Sequence, residues 1–169
     1  MNGRVSRSEA RLGVDFGRVI NAAGPPGAAD TVFLSGTDEE MLETPAMEGS
    51  FDALRRLREV FDGQVWIVSK CDSVVQDRTE RWLSHHRFFD ATGIDPNHVR
   101  FCRRRADKAV HCEELGITHF VDDRYDVLEH LVGVVPHLFL FGSNDERAPD
   151  SAVPTPTWTD AERAIIATL

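Results

Sequence analysis

The stretch LGVDFGRVI, residues 12–20, is apolar at Leu12 and Val14, halts on Asp15, and turns apolar again only at Val19 and Ile20. A short apolar run of this kind is the signature of a strand buried on both faces. Aspartate is a poor strand former and costly to bury without partners. Asp15 is therefore expected at the exposed C-terminal tip of a strand, aimed at something cationic or reactive.

The same rhythm recurs along the chain. Strands are expected at RLGVDF (11–16), QVWIVS (64–69), HVRFC (98–102), THFVD (118–122) and PHLFLF (136–141). Helical segments lie between them. Ser50 is expected to cap FDALRRLREVF, which carries Phe51, Leu54, Leu57 and Val60 on one face. DSVVQDRTERWLSHH offers Val75, Trp82 and Leu83, DKAVHCEELG ends on Gly116, and RYDVLEHLVG presents Val127, Leu128 and Leu131. TDAERAIIATL closes the chain behind a Thr159 or Asp160 cap.

Short apolar strands separated by helices imply parallel pairing through right-handed crossovers, with helices on both faces. The expected fold class is a single doubly wound, three-layer α/β domain, Rossmann-like, with its core at about residues 11–141. Sheets of this class bind ligands beyond the C-terminal ends of the strands, where strand order reverses. Two segments fall outside the alternation. Residues 21–49, rich in Gly, Pro and acids, read as a flap or β-hairpin over the site, or as a long loop. Residues 142–157 read as a polar, Pro-rich linker to a C-terminal helix at 159–168.

Composition narrows the function. A length of 169 residues suits one domain with its own core, and a net charge of -9 argues against nonspecific nucleic-acid binding, which needs a broad basic surface. A local positive pocket for a phosphorylated ligand is compatible with that charge. Three cysteines, Cys71, Cys102 and Cys112, stand apart without C-x-x-C spacing and read as reduced thiols. The first residues hold arginines but no apolar signal core, and no apolar run approaches the ~20 residues of a membrane span, so a cytoplasmic location away from membranes is expected. The histidines lack ligand spacing; His85 and His86 suit pairing with a helix dipole, while Trp66 and Trp82 read as core.

Chemistry should gather at the strand tips. The first strand ends at Asp15, the second at Ser69 and Lys70, the third is followed by RRRADK with Lys108 opening a helix, and the fourth ends in Asp122 and Asp123. In that order, nucleophile, hydroxyl, lysine and acidic pair resemble the haloacid dehalogenase (HAD) superfamily, most of whose members are Mg²⁺-dependent phosphohydrolases. The resemblance covers roughly residues 11–141, and GITHFVDDRYDVL (116–128) is similar to the fourth motif of deoxyribonucleotidases and polynucleotide-phosphatase relatives.

The resemblance implies roles that physical chemistry can justify. A phosphate monoester repels an attacking carboxylate, so a hard dication must bridge the two, and oxygen ligands suit Mg²⁺. Asp15 is implied as the nucleophile, forming an aspartyl-phosphate. The metal would be held by Asp15, the backbone carbonyl of Gly17, and Asp122 or Asp123; the resemblance favours Asp123 as direct ligand with Asp122 in support. Ser69 would hydrogen-bond a phosphoryl oxygen and Lys108 would neutralise negative charge. Arg18, Lys70 and Arg124 are candidate substrate contacts, and Arg103 to Arg105 either grip a phosphate or form solvated surface.

Family phosphatases carry a second aspartate two residues after the nucleophile as general acid and base. Here that position is Gly17. Such help is typically worth ~10²- to 10⁴-fold in rate, so the expectation divides among a phosphatase for substrates with good leaving groups or with a borrowed acid, another reaction on the same scaffold, and a noncatalytic binding or regulatory protein whose catalysis has decayed. Asp38, Glu39, Glu40 and Asp72 are candidates to lend the acid. No interval is long enough for a large cap domain. By analogy with capless relatives, the substrate is expected to be a phosphorylated small molecule or the phosphorylated end of a larger one, with a homo-oligomer as one source of a lid.

Overall fold

The computed structural model describes residues 6–23, 31–142 and 150–169. Its elements run β1 (Leu12–Val14), α1 (Thr31–Ser35), α2 (Asp38–Glu43), α3 (Ser50–Val60), β2 (Val65–Lys70), α4 (Ser73–His85) and α5 (Phe88–Thr92). They continue with β3 (Val99–Cys102), α6 (Asp107–Leu115), β4 (His119–Asp122), α7 (Tyr125–Leu131), β5 (His137–Phe141), β6 (Ala152–Thr155) and α8 (Trp158–Ile166). All strand pairs are parallel, in the order β3-β2-β1-β4-β5-β6. The chain winds outward from β1 through β2 to β3, then crosses to β4 and winds the other way. The reversal lies between β1 and β4, so the crevice of a doubly wound sheet opens at the ends of those two strands.

Strand periodicity divides the core. Leu12, Val14, Val65 and Ile67 face one side and join a cluster with Leu54, Leu57, Trp82 and Ile165 from the helices α3, α4 and α8. Trp66, Val68, Phe120 and Leu138 face the other and pack on Cys112, Leu128 and Leu131 of α6 and α7. Gly13 sits where a Cβ would come within 2.5 Å of the buried Phe120 ring. β1 can lie flush against β4 only because this position carries no side chain. The register that results pairs Val14 with Val121, and the Asp15 N–H donates to the Val121 carbonyl at 3.0 Å.

Four local expectations are corrected. The 142–157 linker contains a strand: β6 pairs with β5 from Leu138 and Ala152 to Phe141 and Thr155, and the Thr155 hydroxyl donates to the Leu140 carbonyl. Pro154 is accommodated because β6 is an edge strand. The last helix begins at Trp158 behind a Thr157–Asp160 capping box, not behind Thr159 or Asp160, because Trp158 is needed inside. Gly49, at φ 77°, precedes α3, and the Ser50 hydroxyl instead donates to the Ile20 carbonyl at 3.2 Å. The described part of 21–49 holds the short helices α1 and α2 and a single antiparallel bridge between Asn21 and Ala46, with no hairpin. Residues 24–30 of the expected flap and 143–149 of the expected linker lie outside the described residues.

Trp66, Trp82 and the three free cysteines are buried. Among the described residues, no helix is long and apolar enough to cross a membrane.

Candidate active site

The turn after β1 is built to hold Asp15 and Gly17 still. The Phe16 carbonyl accepts from the N–H groups of Val19, Ile20 and Asn21, at 3.3, 2.9 and 3.3 Å. Beneath it, the buried indole N–H of Trp158 donates to the Val19 carbonyl at 2.7 Å. Arg18 adopts φ 60°, in the left-handed region that non-glycine residues seldom occupy, and its N–H donates to Asn21 Oδ1 at 3.0 Å. Phe16 itself points into the core between Phe33, at 5.6 Å between ring centres, and Trp82, at 5.3 Å. The turn thus exposes Asp15, Gly17 and Arg18 to the crevice while anchoring everything between them.

Lys108 is the centre of the site. Its Nζ lies 2.7 Å from Asp15 Oδ1 and 2.7 Å from Asp122 Oδ2, joining three elements that are far apart in sequence. It is 2% exposed and stands in the first turn of α6, where the helix dipole opposes a cation. Burial lowers its pKa, but Asp122 and Asp15 outweigh burial and hold it above the ordinary lysine value. A buried ammonium in this position is sustained by its two carboxylates.

Asp122 is wholly buried. Its Oδ2 accepts from Lys108, and its Oδ1 accepts from the Arg124 N–H at 3.0 Å. Burial and the nearby Asp15 push its pKa up to about 6, a shift that runs against the rise at Lys108. Geometry decides for the ionised pair, since both Asp122 oxygens face donors. At the half-buried Asp123, burial first and then Asp15 and Asp122 push the carboxyl up to about 8, against the opposing charges of Arg18 and Lys108.

Carboxylate oxygens of Asp15, Asp122 and Asp123 lie within 4.8 Å of one another. With all three ionised and Lys108 protonated, the three carboxylates and the ammonium together carry a charge of -2, with Arg18 nearby. An all-oxygen donor set with that charge fits a hard dication such as Mg²⁺.

A cleft of about 310 Å³ opens onto the cluster. Asp15, Gly17, Arg18, Ser69, Lys70, Lys108, Asp123 and Arg124, eight of the nine site residues expected from sequence, line it together. Asp122 is the ninth and lies behind Lys108. Ser69 reaches the cleft from the penultimate position of β2 and is almost fully buried.

Of the candidate lent acids, Asp72 lines the cleft, where it also caps α4 by accepting from the Val75 N–H at 2.9 Å. Asp38 instead pairs with Arg81 at 3.1 Å, and Glu40 closes the capping box of α2 with Thr37. Asp38, Glu39 and Glu40 do not line the cleft. A Cβ built on Gly17 meets nothing within 4 Å, so a side chain at this position would face open space.

Sequence reasoning left one feature open between two readings and passed over another. The three consecutive arginines have different partners. Arg103 donates to the Cys71 carbonyl and Gln76, Arg104 pairs with Asp107, and Arg105 enters the cleft paired with Asp126. An apolar wall of Phe33 and Leu34 also faces the cleft from α1. Arg78 holds that helix in place by donating to the carbonyls of Phe33 and Gly36, at 3.3 and 2.9 Å. The run of three arginines was the visible signal for the first feature; the second had none.

No protein-family model and no curated protein matches the sequence. Among solved structures, a haloacid dehalogenase-like family hydrolase from Xanthomonas campestris superposes with a TM-score of 0.66, over 94% of this chain and 95% of that one, at 9% sequence identity. The chain has the HAD-like fold. At such low identity the likeness is one of backbone. In the HAD-like fold of this chain, the crevice between β1 and β4 is where Asp15, Lys108 and the tandem aspartates meet.

Proposed function

We propose that this chain is a Mg²⁺-dependent phosphohydrolase in which Asp15 attacks phosphorus and carries the phosphoryl group as an aspartyl-phosphate. The observation that supports it most is the convergence of Lys108 on Asp15 and Asp122, at 2.7 Å each, beside Asp123. Asp15, Asp123 and the Gly17 carbonyl would hold Mg²⁺, since both Asp122 oxygens already accept hydrogen bonds. Bound there, the cation supplies the positive charge that lets an anionic nucleophile approach an anionic ester.

The protein's own groups do the rest. Lys108 orients Asp15 through its hydrogen bond, and its charge persists through the reaction. Ser69 donates its hydroxyl to a phosphoryl oxygen, and Arg18 and Lys70 balance the remaining charge at the cleft wall. As the Asp15 oxygen bonds to phosphorus, the ester P–O bond breaks and the leaving group departs with its electron pair. Gly17 offers no proton at that step. Substrates whose leaving groups are stable anions, such as aryl, enol or acyl phosphates and phosphoanhydrides, are therefore preferred. Water then attacks the aspartyl-phosphate, returning Asp15 and releasing phosphate.

A second reading, binding of a phosphorylated ligand without turnover, is favoured by Gly17 alone. Hydrolysis of an activated aryl phosphate with Mg²⁺, run beside Asp15→Asn, separates the two. Turnover in the parent and its loss in the variant supports hydrolysis; equal rates in both proteins eliminate it.

A further inference from the structure

Among the cleft residues, Arg105 and Arg124 share one counterion. Arg105 Nη1 lies 2.8 Å from Asp126 Oδ2, and Arg124 Nε lies 3.1 Å from Asp126 Oδ1. Both residues line the same cleft as Asp15, reaching it from the loop before α6 and the residue before α7. Two cations against one carboxylate leave a net positive charge at the rim. The three side chains are 41 to 46% exposed, so the unit is open to a ligand and is not a sealed structural pair. Of the three guanidinium nitrogens of Arg105, only Nη1 has a partner among the described residues. Asp126 therefore aligns the two arginines without using up their donors.

This unit is separate from the phosphoryl site. Lys108 and Ser69 are buried at the cleft floor, while Arg105 and Arg124 stand at its solvent edge. A volume of about 310 Å³ is at the lower end for small-molecule sites and exceeds what a bare phosphate fills.

We propose that Arg105 and Arg124, aligned by Asp126, form a second anion subsite, and that the substrate is a compact phosphate ester bearing a further anionic group, a carboxylate or second phosphate. This rests on the reading of the cleft floor as a phosphoryl site. The second group docks on the guanidinium edges while the first meets Ser69 and Lys108. Charge-assisted hydrogen bonds of this kind contribute about 1.5–3 kcal/mol each, so one such contact is worth roughly tenfold or more in affinity.

Nonhydrolysable probes test it without requiring turnover. Methylphosphonate and a series of α,ω-alkane bisphosphonates with three to six methylenes are titrated calorimetrically into the Mg²⁺-loaded protein. One chain length is expected to bind at least tenfold more tightly than methylphosphonate. Arg105→Gln is expected to bring that ratio near one. Its ion pair is exposed and contributes little to stability, so the variant remains folded. Asp126→Asn, whose amide oxygen can still accept from one guanidinium and which keeps both cations, is expected to retain a clear part of the preference. If the triad served only to join two helices, Asp126→Asn and Arg105→Gln would behave alike, and the proposal fails. Methylphosphonate binding with no gain at any chain length overturns the subsite and leaves the phosphoryl site standing. Failure of every probe to bind overturns both. An Arg105-dependent gain in a protein that hydrolyses no ester upholds the subsite and removes the hydrolase reading.

Discussion

Restoring an acid at position 17 is the sharpest perturbation this site offers. A Cβ at Gly17 meets nothing within 4 Å, and the backbone there is not in the left-handed region, so Gly17→Asp introduces a carboxyl without clash or backbone strain. The new group stands two residues from Asp15, on the same turn as Arg18, in the cleft that the leaving group must cross. General acid–base help is worth about 10²- to 10⁴-fold, or roughly 3–5 kcal/mol of barrier. That gain should fall on esters whose leaving group needs a proton. For an activated aryl phosphate, whose leaving group departs unaided, the gain should be small. The assay is kcat for a graded series of aryl and alkyl phosphates in the parent and in Gly17→Asp, plotted against leaving-group pKa. A steep dependence in the parent that flattens in the variant is expected. Parallel lines from two folded, Mg²⁺-binding proteins would refute the reasoning, because the open space at Gly17 would then have no bearing on the chemistry.

Lys108→Met strands two carboxylates beside each other, Asp122 fully buried and Asp15 nearly so. Breaking a buried ion pair on one side typically costs about 3–5 kcal/mol; urea unfolding in the absence of Mg²⁺ should show a loss of that order, partly recovered in Lys108→Met/Asp15→Asn, and a loss below about 1 kcal/mol would contradict the pairing. A pH effect is expected far from the site. His119 bridges the Thr118 and Thr168 hydroxyls at 2.7 and 2.8 Å, and burial, then His137, lowers its pKa from 6.5 to about 3. The unfolded chain takes up a proton below pH 6.5 that the native ring refuses, so stability is full above that value and falls as the pH drops toward 3. His119→Gln should flatten this limb by about one proton, ~1.4 kcal/mol per pH unit; an unchanged slope would show that the ring titrates freely.

How much of this was legible in the sequence follows from the physics of each element. Strands buried on both faces leave short apolar runs, so β1, β2, β4 and β5 could be placed from the sequence pattern, and the half-buried edge strand β3 still shows itself through Val99 and Phe101. β6 could not, because AVPT, an edge strand whose two central residues are exposed, carries a proline and reads as linker. Polar residues at strand tips betray themselves by interrupting apolar runs, and Asp15, Ser69 and the tandem aspartates did so. The bridging of Asp15 and Asp122 by Lys108 depends on the β1–β4 register, which Gly13 permits by admitting the Phe120 ring; a single glycine in a strand pattern does not announce that. Asp126 was hidden for a simpler reason: its pairing with Arg105, 21 residues away, exists only once the loop before α6 lies beside α7. The caps at Gly49 and Thr157 were displaced from their expected positions because Ser50 and Trp158 are engaged in holding the turn after β1.

The proposed chemistry stands on one aspartate meeting phosphorus beside a dication held by its neighbours. A crystal soaked with Mg²⁺ and beryllofluoride reads this directly. Beryllium bonded to an Asp15 oxygen, with Mg²⁺ touching Asp15 and Asp123 and Lys108 still in contact with Asp15, is the predicted result. Mg²⁺ bound away from the three aspartates, or beryllofluoride bound to any other group while Asp15 stays unmodified, would contradict it.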